Sequence, residues 1–363
     1  MLMSRPTLYV AITNHGFGHA VRSASVVAAI QRLNPDILTI LVTTAPHWLL
    51  ESYISFDFIQ RHRGFDVGVI QSDSLKMDKI ATLAKLQDIK AHERSIIASE
   101  VNFIRTNQVG LILADIPPLA AVIAKAAGIP CWMMSNFGWD FIYRDWGEDF
   151  QEITDWMSSC YQQCDRLFRL PLSESMSAFP NIIDVGLTGG NPRYSETHLR
   201  THFNLTAPKE KTILLTFGGL GLEQIPYQNL QHFQKWQFIT FDRNIPRLQN
   251  LIQVTEHQYR PVDFMPFCGR VISKPGFSTF SEALRQNTPI VSLTRDNFAE
   301  SHFLLDGIQK YSEHQIITPQ EFFQGNWDFL HDSLIPPKYN ISIDKNGSET
   351  IAKAIVNYFQ SHP

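Results

Sequence analysis

Thr7-Leu8-Tyr9-Val10-Ala11-Ile12-Thr13-Asn14-His15-Gly16-Phe17-Gly18-His19-Ala20-Val21-Arg22 is the stretch that decides how this 363-residue chain folds. An apolar run ends at Ile12, two glycines follow, and an amphipathic segment runs from Arg22 to Leu33. That order reads as strand, tight turn, helix. Gly16 and Gly18 let the backbone turn and let a ligand come close, because no Cβ stands in the way. A helix start offers unpaired N–H groups and a partial positive charge. A histidine there, His19 or its neighbour His15, can take a proton near neutral pH. Taken alone, the loop also reads as a plain strand-to-helix turn with a histidine at the helix start. There is no third glycine at the dinucleotide-fingerprint spacing and no GxxxxGK sequence, so NAD, FAD and P-loop ATPase readings are not supported.

Working outward, short apolar runs alternate with helix-period segments. Leu8–Thr13, Ile37–Thr43, Phe56–Gln60, Gly110–Ala114, Cys131–Met134 and Leu167–Leu170 read as buried strands, with helices at Arg22–Leu33, Ile80–Asn107 and Pro118–Ala127. The turn-rich stretch Leu187-Thr188-Gly189-Gly190-Asn191-Pro192-Arg193 marks a boundary. The pattern then restarts. Thr212–Phe217 runs into Gly218-Gly219-Leu220-Gly221, followed by strands at Phe238–Phe241, Gly269–Ser273 and Pro289–Ser292 and helices at Ser278–Gln286 and Ala299–Gly307. Ser348–Phe359 forms a last amphipathic helix. Such alternation predicts an α/β chain of two doubly wound halves with parallel sheets. Ligands in such sheets bind beyond the carboxyl ends of the strands, so the two halves are expected to face one central cleft. The expected domains are 1–187, joined by the C-terminal helix 345–363, and 188–344.

Bulk properties narrow the class. With 44% hydrophobic and 18% charged residues, the composition is that of a globular protein. A formal net charge of −4 argues against a nucleic-acid partner, which would need a basic face. Cys131, Cys160, Cys164 and Cys268 are too scattered for a disulfide framework and read as buried thiols. Neither a signal-peptide pattern nor an uninterrupted apolar span is evident, since Leu111–Met134 is broken by Asp115, two prolines and Lys125. The expected compartment is the cytoplasm. With no Asp-x-Asp pair and no His/Cys set at ligand spacing, no metal is expected.

The second half carries its own constellation, Ser273-Lys274-Pro275-Gly276-Phe277-Ser278-Thr279-Phe280-Ser281-Glu282-Ala283. A strand ends at Ser273, Pro275-Gly276 turns, and a helix begins near Ser278. Its free N–H groups, with the Ser278 and Thr279 hydroxyls, suit a phosphate. Glu282, one turn on, could accept two hydrogen bonds from a ribose diol. The plainer alternative makes Ser278 a helix cap and Glu282 a solvated first-turn acid.

This segment, followed by Arg295-Asp296-Asn297-Phe298-Ala299-Glu300, resembles the donor-binding region of GT-B glycosyltransferases, in the branch that contains the N-acetylglucosaminyl transferase of peptidoglycan synthesis. Thr216-Phe217-Gly218-Gly219-Leu220-Gly221 resembles that branch's diphosphate loop, and Thr188 to Arg193 its interdomain junction. Over nearly the whole chain, Gly16-Phe17-Gly18-His19-Ala20, Ser135-Asn136-Phe137-Gly138-Trp139-Asp140-Phe141-Ile142-Tyr143 and Ser273 to Leu284 are similar to the glycosyltransferase-like domain fused to plant arabinokinases. The chain carries no kinase glycine–serine motif, so kinase activity is not carried over.

The resemblance implies a GT-B fold and metal-independent, inverting transfer of a hexosyl or N-acetylhexosaminyl group. The sugar would come from a nucleotide sugar, most simply a UDP-sugar, acting as co-substrate with no other cofactor. In many such enzymes a first-loop histidine deprotonates the acceptor and an aspartate orients it. Here His19, which follows the second glycine, and Asp115, which ends Leu111-Ile112-Leu113-Ala114, match those roles. Capping the following helix is the alternative for Asp115. On the donor side stand Gly218, Gly219, Gly221, Lys274, Gly276, Ser278, Thr279 and Glu282, with Asp296 and Asn297 facing the sugar. The acceptor side takes Gly16, Gly18, Asn136, Trp139, Asp140 and Tyr143, whose aromatics either stack on a sugar or form a core cluster. Arg22, Arg144 and Arg193 read more simply as surface cations than as phosphate ligands, and Arg61-His62-Arg63 as a solvated loop. The acceptor class (glycan, lipid or small molecule) is open, which leaves room for peripheral membrane contact. Two rival readings remain: a nucleotide-sugar sensor without turnover, and a GT-B epimerase or hydrolase.

Overall fold

The structure, a computed structural model, describes residues 5–71, 77–219, 221–222, 224–339 and 341–362. Leu220 of the second glycine loop lies outside them. The chain divides into two compact units: residues up to 71, 77–188 and from 344 onward form one, and 189–343 the other.

In the first unit seven strands form one sheet: β1 (Thr7–Ile12), β2 (Leu38–Val42), β3 (Ile59–Arg61), β4 (Val109–Asp115), β5 (Cys131–Ser135), β6 (Arg166–Arg169) and β7 (Ile182–Asp184). Their order is β3-β2-β1-β4-β5-β6-β7, and every pairing is parallel. All six residues of β1 are buried, as expected of a parallel strand covered by helices on both faces. The order reverses between β1 and β4, the topological switch point at which such sheets place a ligand crevice. Ile12 pairs with Asp115 there, and the Thr13 N–H donates to the Asp115 carbonyl at 2.8 Å. The sheet itself thus brings the first glycine loop beside Asp115.

The second unit repeats the plan with six parallel strands: β8 (Thr212–Leu215), β9 (Gln237–Thr240), β10 (Leu251–Gln253), β11 (Arg270–Ser273), β12 (Ile290–Leu293) and β13 (His314–Ile317). The order is β10-β9-β8-β11-β12-β13, so its switch point lies between β8 and β11. Those strands lead into the Gly218 loop and the Lys274–Gly276 turn. Between β8 and β9 the described residues hold a 3-10 turn, Tyr227–His232, where the first unit has a full helix.

The last helix, Gly347–Ser361, packs inside the first unit. Its Tyr358 hydroxyl donates to the Gly110 carbonyl at 3.1 Å, and the same ring lies edge-on to Trp132 at 5.4 Å. Asp344 and Gly347 bond the Leu187 backbone and anchor its approach.

Several expected boundaries move. The first helix starts at Gly18, a turn before Arg22, so His19 lies in its first turn. Ile80–Asn107 is two helices, Lys79–Ala91 and Glu93–Thr106, broken at His92. The strand expected at Phe56–Gln60 lies at Ile59–Arg61. Arg61 and Arg63 are not a solvated loop, because both pair with the buried Glu100, at 2.7 and 3.1 Å. All four cysteines are free and buried. Among the described residues no helix is long and apolar enough to cross a membrane.

Candidate active site

His19 and Asp115 meet at the first switch point. The imidazole Nδ1 lies 2.8 Å from Asp115 Oδ1, and both side chains are buried. Asp115 caps no helix: the following helix, Leu119–Ala127, is preceded by Pro118 without a side-chain cap. Its carboxylate is taken up instead by His19, by the Ser23 hydroxyl at 3.0 Å and by Arg22.

Arg22 is no surface cation, because it is 2% exposed. It forks onto Asp115, Nε to Oδ2 at 2.6 Å and Nη2 to Oδ1 at 2.5 Å. Nη1 donates to Asn136 Oδ1 at 2.8 Å and Nη2 to Ser135 Oγ at 3.0 Å. One side chain therefore ties the helix after β1 to the ends of β4 and β5. Sequence reasoning missed it, although a lone arginine among Ala20, Val21, Ser23 and Ala24 has no polar face to share.

The charge states follow. Burial alone would raise the Asp115 carboxyl, but the Arg22 guanidinium and His19 override it and hold its pKa at about 2. Burial, reinforced by the Arg22 charge, lowers the His19 pKa, and Asp115 offsets only part of this. His19 is therefore neutral at pH 7. Arg22 Nη2 makes three close contacts with its two hydrogens, to Asp115 Oδ1, to Ser135 Oγ and, at 2.9 Å, to His19 Nδ1, so a bond to the ring is a shared one. A bare lone pair on Nδ1 would face the Asp115 carboxylate at 2.8 Å, so we assign the proton to Nδ1, which leaves the lone pair on Nε2. Among the described residues Nε2 has no hydrogen-bond partner.

A second carboxylate supports the loop. Asp66 accepts from the Thr13 hydroxyl and from the Asn14 N–H at 3.0 Å, and Thr13 Oγ1 in turn accepts from Trp139 Nε1 at 3.1 Å. Burial outweighs these bonds and raises the Asp66 pKa to about 6. Asp66 lies in a stretch with no period to reveal it. His15 accepts the Val69 N–H at Nδ1, at 3.2 Å, so that nitrogen is already occupied. Gly16, at φ +59°, provides the left-handed turn between the two histidines.

The segment after β5 packs against the first loop. Trp139 and Tyr143 are wholly buried and stacked at 5.5 Å, and Trp139 lies 5.1 Å from Phe137 and 6.1 Å from His19. Their faces pack on one another, which is the core-cluster alternative, and Asn136 and Asp140 are also buried. Asn136 serves Arg22, and Asp140 accepts from the Ser158 hydroxyl at 2.9 Å.

The second unit gathers its own set. Gly218 and Gly221 hold positive φ, and Gly218 and Gly219 are exposed. The Lys274 side chain reaches this loop, its Cε 3.9 Å from where a Gly218 Cβ would lie. Gly276 precedes the helix Phe277–Arg285 with no side-chain cap, so Ser278 is not its cap; Ser278 is buried and Thr279 half-buried in its first turn. Glu282 is no solvated acid: it is 3% exposed, and its Oε1 accepts the Gly190 N–H at 2.9 Å. That approach demands a glycine at 189, since a Cβ there would come 2.7 Å from Glu282 Cγ. Asp296 and Asn297 form an exposed turn after β12. Arg193 donates to the Gln258 carbonyl at 2.6 Å, and the exposed Arg144 lies 3.7 Å from Asp140.

Two doubly wound parallel-sheet units, each with a glycine loop at its switch point, define a GT-B fold. Solved glycosyltransferase structures share it: Phytolacca americana UGT2, complexed with UDP-2fluoro-glucose and pterostilbene, aligns at a TM-score of 0.60 with 14% identity, over 98% of this chain and 90% of that one. Arabidopsis thaliana UGT89C1, complexed with UDP, aligns at 0.60 with 12% identity, over 97% and 94%. Among curated proteins the chain is similar to L-arabinokinase of Arabidopsis thaliana, 29% identical over 354 residues, which is 94% of this chain and 33% of that protein. It thus spans about a third of that relative's length. No protein-family model matches the chain.

Proposed function

We propose that this protein is an inverting, metal-independent glycosyltransferase that moves a hexosyl or N-acetylhexosaminyl group from a UDP-sugar to an acceptor hydroxyl. The observation that carries this reading is the buried His19–Asp115 pair at the β1/β4 switch point, where burial and the Arg22 charge lower the imidazole's pKa. An alcohol is a poor nucleophile until its proton is removed as the new bond forms. His19 Nε2 takes that proton while the acceptor oxygen attacks the anomeric carbon on the face opposite the leaving group. The bond from that carbon to the diphosphate oxygen breaks, and its electron pair leaves with the nucleotide. Asp115 stabilises the imidazolium as it forms, the part an orienting carboxylate plays beside a histidine base.

The donor falls to the second unit. Glu282 holds the ribose diol. The Gly218, Gly219 and Gly221 loop, Lys274, Gly276 and the first-turn residues Ser278 and Thr279 take the diphosphate, as helix starts do. Their N–H groups stabilise the leaving charge by preorganisation. Asp296 and Asn297 face the sugar. The UDP and UDP-2fluoro-glucose carried by the two solved glycosyltransferases support a uridine nucleotide, and pterostilbene in one of them supports a small-molecule acceptor. On the acceptor side Gly16 and Gly18 leave room for the incoming hydroxyl, beside the segment that holds Asn136, Trp139, Asp140 and Tyr143.

A thermal-shift panel of nucleotide sugars, followed by a nucleoside-diphosphate release assay with and without candidate acceptors, tests this. A UDP-sugar should raise the melting temperature, and release should depend on acceptor. Stabilisation without release would favour a sensor, and release or epimerised donor without acceptor an epimerase or hydrolase. No stabilisation by any nucleotide sugar would defeat the reading.

A further inference from the structure

We propose that Arg22 is the positioning residue of the His19–Asp115 pair: its fork fixes the Asp115 carboxylate and thereby selects the His19 tautomer with its lone pair on Nε2. This deepens the function proposed above at the same site, although its spectroscopic test does not depend on sugar transfer. His and Asp alone leave the carboxylate free to rotate. Arg22, three residues after His19 on the same helix, removes that freedom by binding both oxygens. It is itself held by Asn136 and Ser135 at the end of β5, so its orientation is set by a third element. With the carboxylate fixed 2.8 Å from Nδ1, the Nδ1–H tautomer is attracted to Oδ1 and the tautomer with a lone pair there is repelled.

Arg22 also places a permanent positive charge 2.9 Å from the ring. Protonating His19 therefore sets two cations against one carboxylate. The other titratable groups close by are His15, 6.1 Å from His19 ring to ring, and Asp66, which is bonded to Thr13 and Asn14 of the same loop. The remaining neighbours, Ser135, Asn136, Phe137 and Trp139, are uncharged. Arg22 thus adds to burial in lowering the His19 pKa and leaves Asp115 to receive the charge as the acceptor proton arrives.

Nitrogen-15 imidazole spectra from pH 4.5 to 8 on the wild type, Arg22→Met and Arg22→Lys read this directly. In the wild type, His19 should titrate below the ordinary histidine value, with the proton of its neutral form on Nδ1. Arg22→Met should raise its titration midpoint by one pH unit or more, because Asp115 is then opposed by burial alone. Arg22→Lys keeps the charge but not the fork, so the low midpoint should persist while the second tautomer appears; this variant carries the test if Arg22→Met does not fold. An unchanged tautomer in Arg22→Lys together with an unchanged midpoint in Arg22→Met, or a wild-type His19 already protonated at pH 6.5, would overturn the proposal. The acid limb of kcat/KM should move with the midpoint in Arg22→Met. The expected shifts in the variants, with a wild type that transfers no sugar, would sink the glycosyltransferase reading and leave the role of Arg22 standing.

Discussion

The two switch points share a topology and differ in nearly everything else. At β1/β4 the chain buries a histidine, an arginine and two carboxylates, all hydrogen-bonded to one another or to the loop above them. At β8/β11 it offers exposed glycines, a lysine on the loop and a helix start, with Glu282 as the buried acid. A rigid, dry set of charges suits a proton transfer, where pKa and tautomer must be held. Backbone N–H groups at a glycine loop and a helix start suit a diphosphate, where they replace solvent without fixing a protonation state. One plan, used twice, yields a closed set of charges in one unit and an exposed loop in the other.

Breaking the first site should cost most. Asp115→Asn leaves Arg22 buried without its counter-charge, and such a loss costs about 3–5 kcal/mol, read as a lower urea midpoint. Asp66 gives a pH-dependent contrast. Its folded pKa of about 6 exceeds the ordinary 3.8, so the native state holds a proton that the unfolded chain releases in that window. Stability from this group is present below pH 3.8 and lost as the pH rises through 6. Asp66→Asn should therefore gain on the wild type by up to about 3 kcal/mol between pH 4 and pH 8, measured by denaturation at both.

The second site should respond in affinity instead. Glu282→Ala removes charge-assisted hydrogen bonds of about 1.5–3 kcal/mol, so UDP-sugar binding should weaken roughly 10- to 100-fold in calorimetry. The smallest effect belongs to the first glycine. A Cβ on Gly16 meets nothing within 4 Å, so Gly16→Ala should cost only the left-handed backbone penalty of roughly 1–2 kcal/mol, seen as a modest fall in Tm.

Period and punctuation made the fold legible. Apolar runs, glycine turns and helix spacing placed β1, β4, β8 and β11 to within a few residues, and with them both glycine loops. The positions of His19, Asp115 and Glu282 were legible because each sits close to a strand end or helix start. Arg22 and Asp66 were not. The first acts across 93 residues on Asp115, and the second across 53 on Thr13. Such partners are set by strand order, which local pattern does not carry. The Trp139 and Tyr143 rings stayed open between stacking surface and core, because an aromatic run looks the same from either side of the molecular surface.

The central claim is that His19 takes the acceptor's proton while the second unit holds the donor. Its most direct test measures UDP-sugar affinity and single-turnover transfer for the wild type and His19→Gln side by side. The account predicts affinities within about threefold and transfer slowed roughly 10²- to 10⁴-fold. Transfer by His19→Gln at the wild-type rate would contradict it.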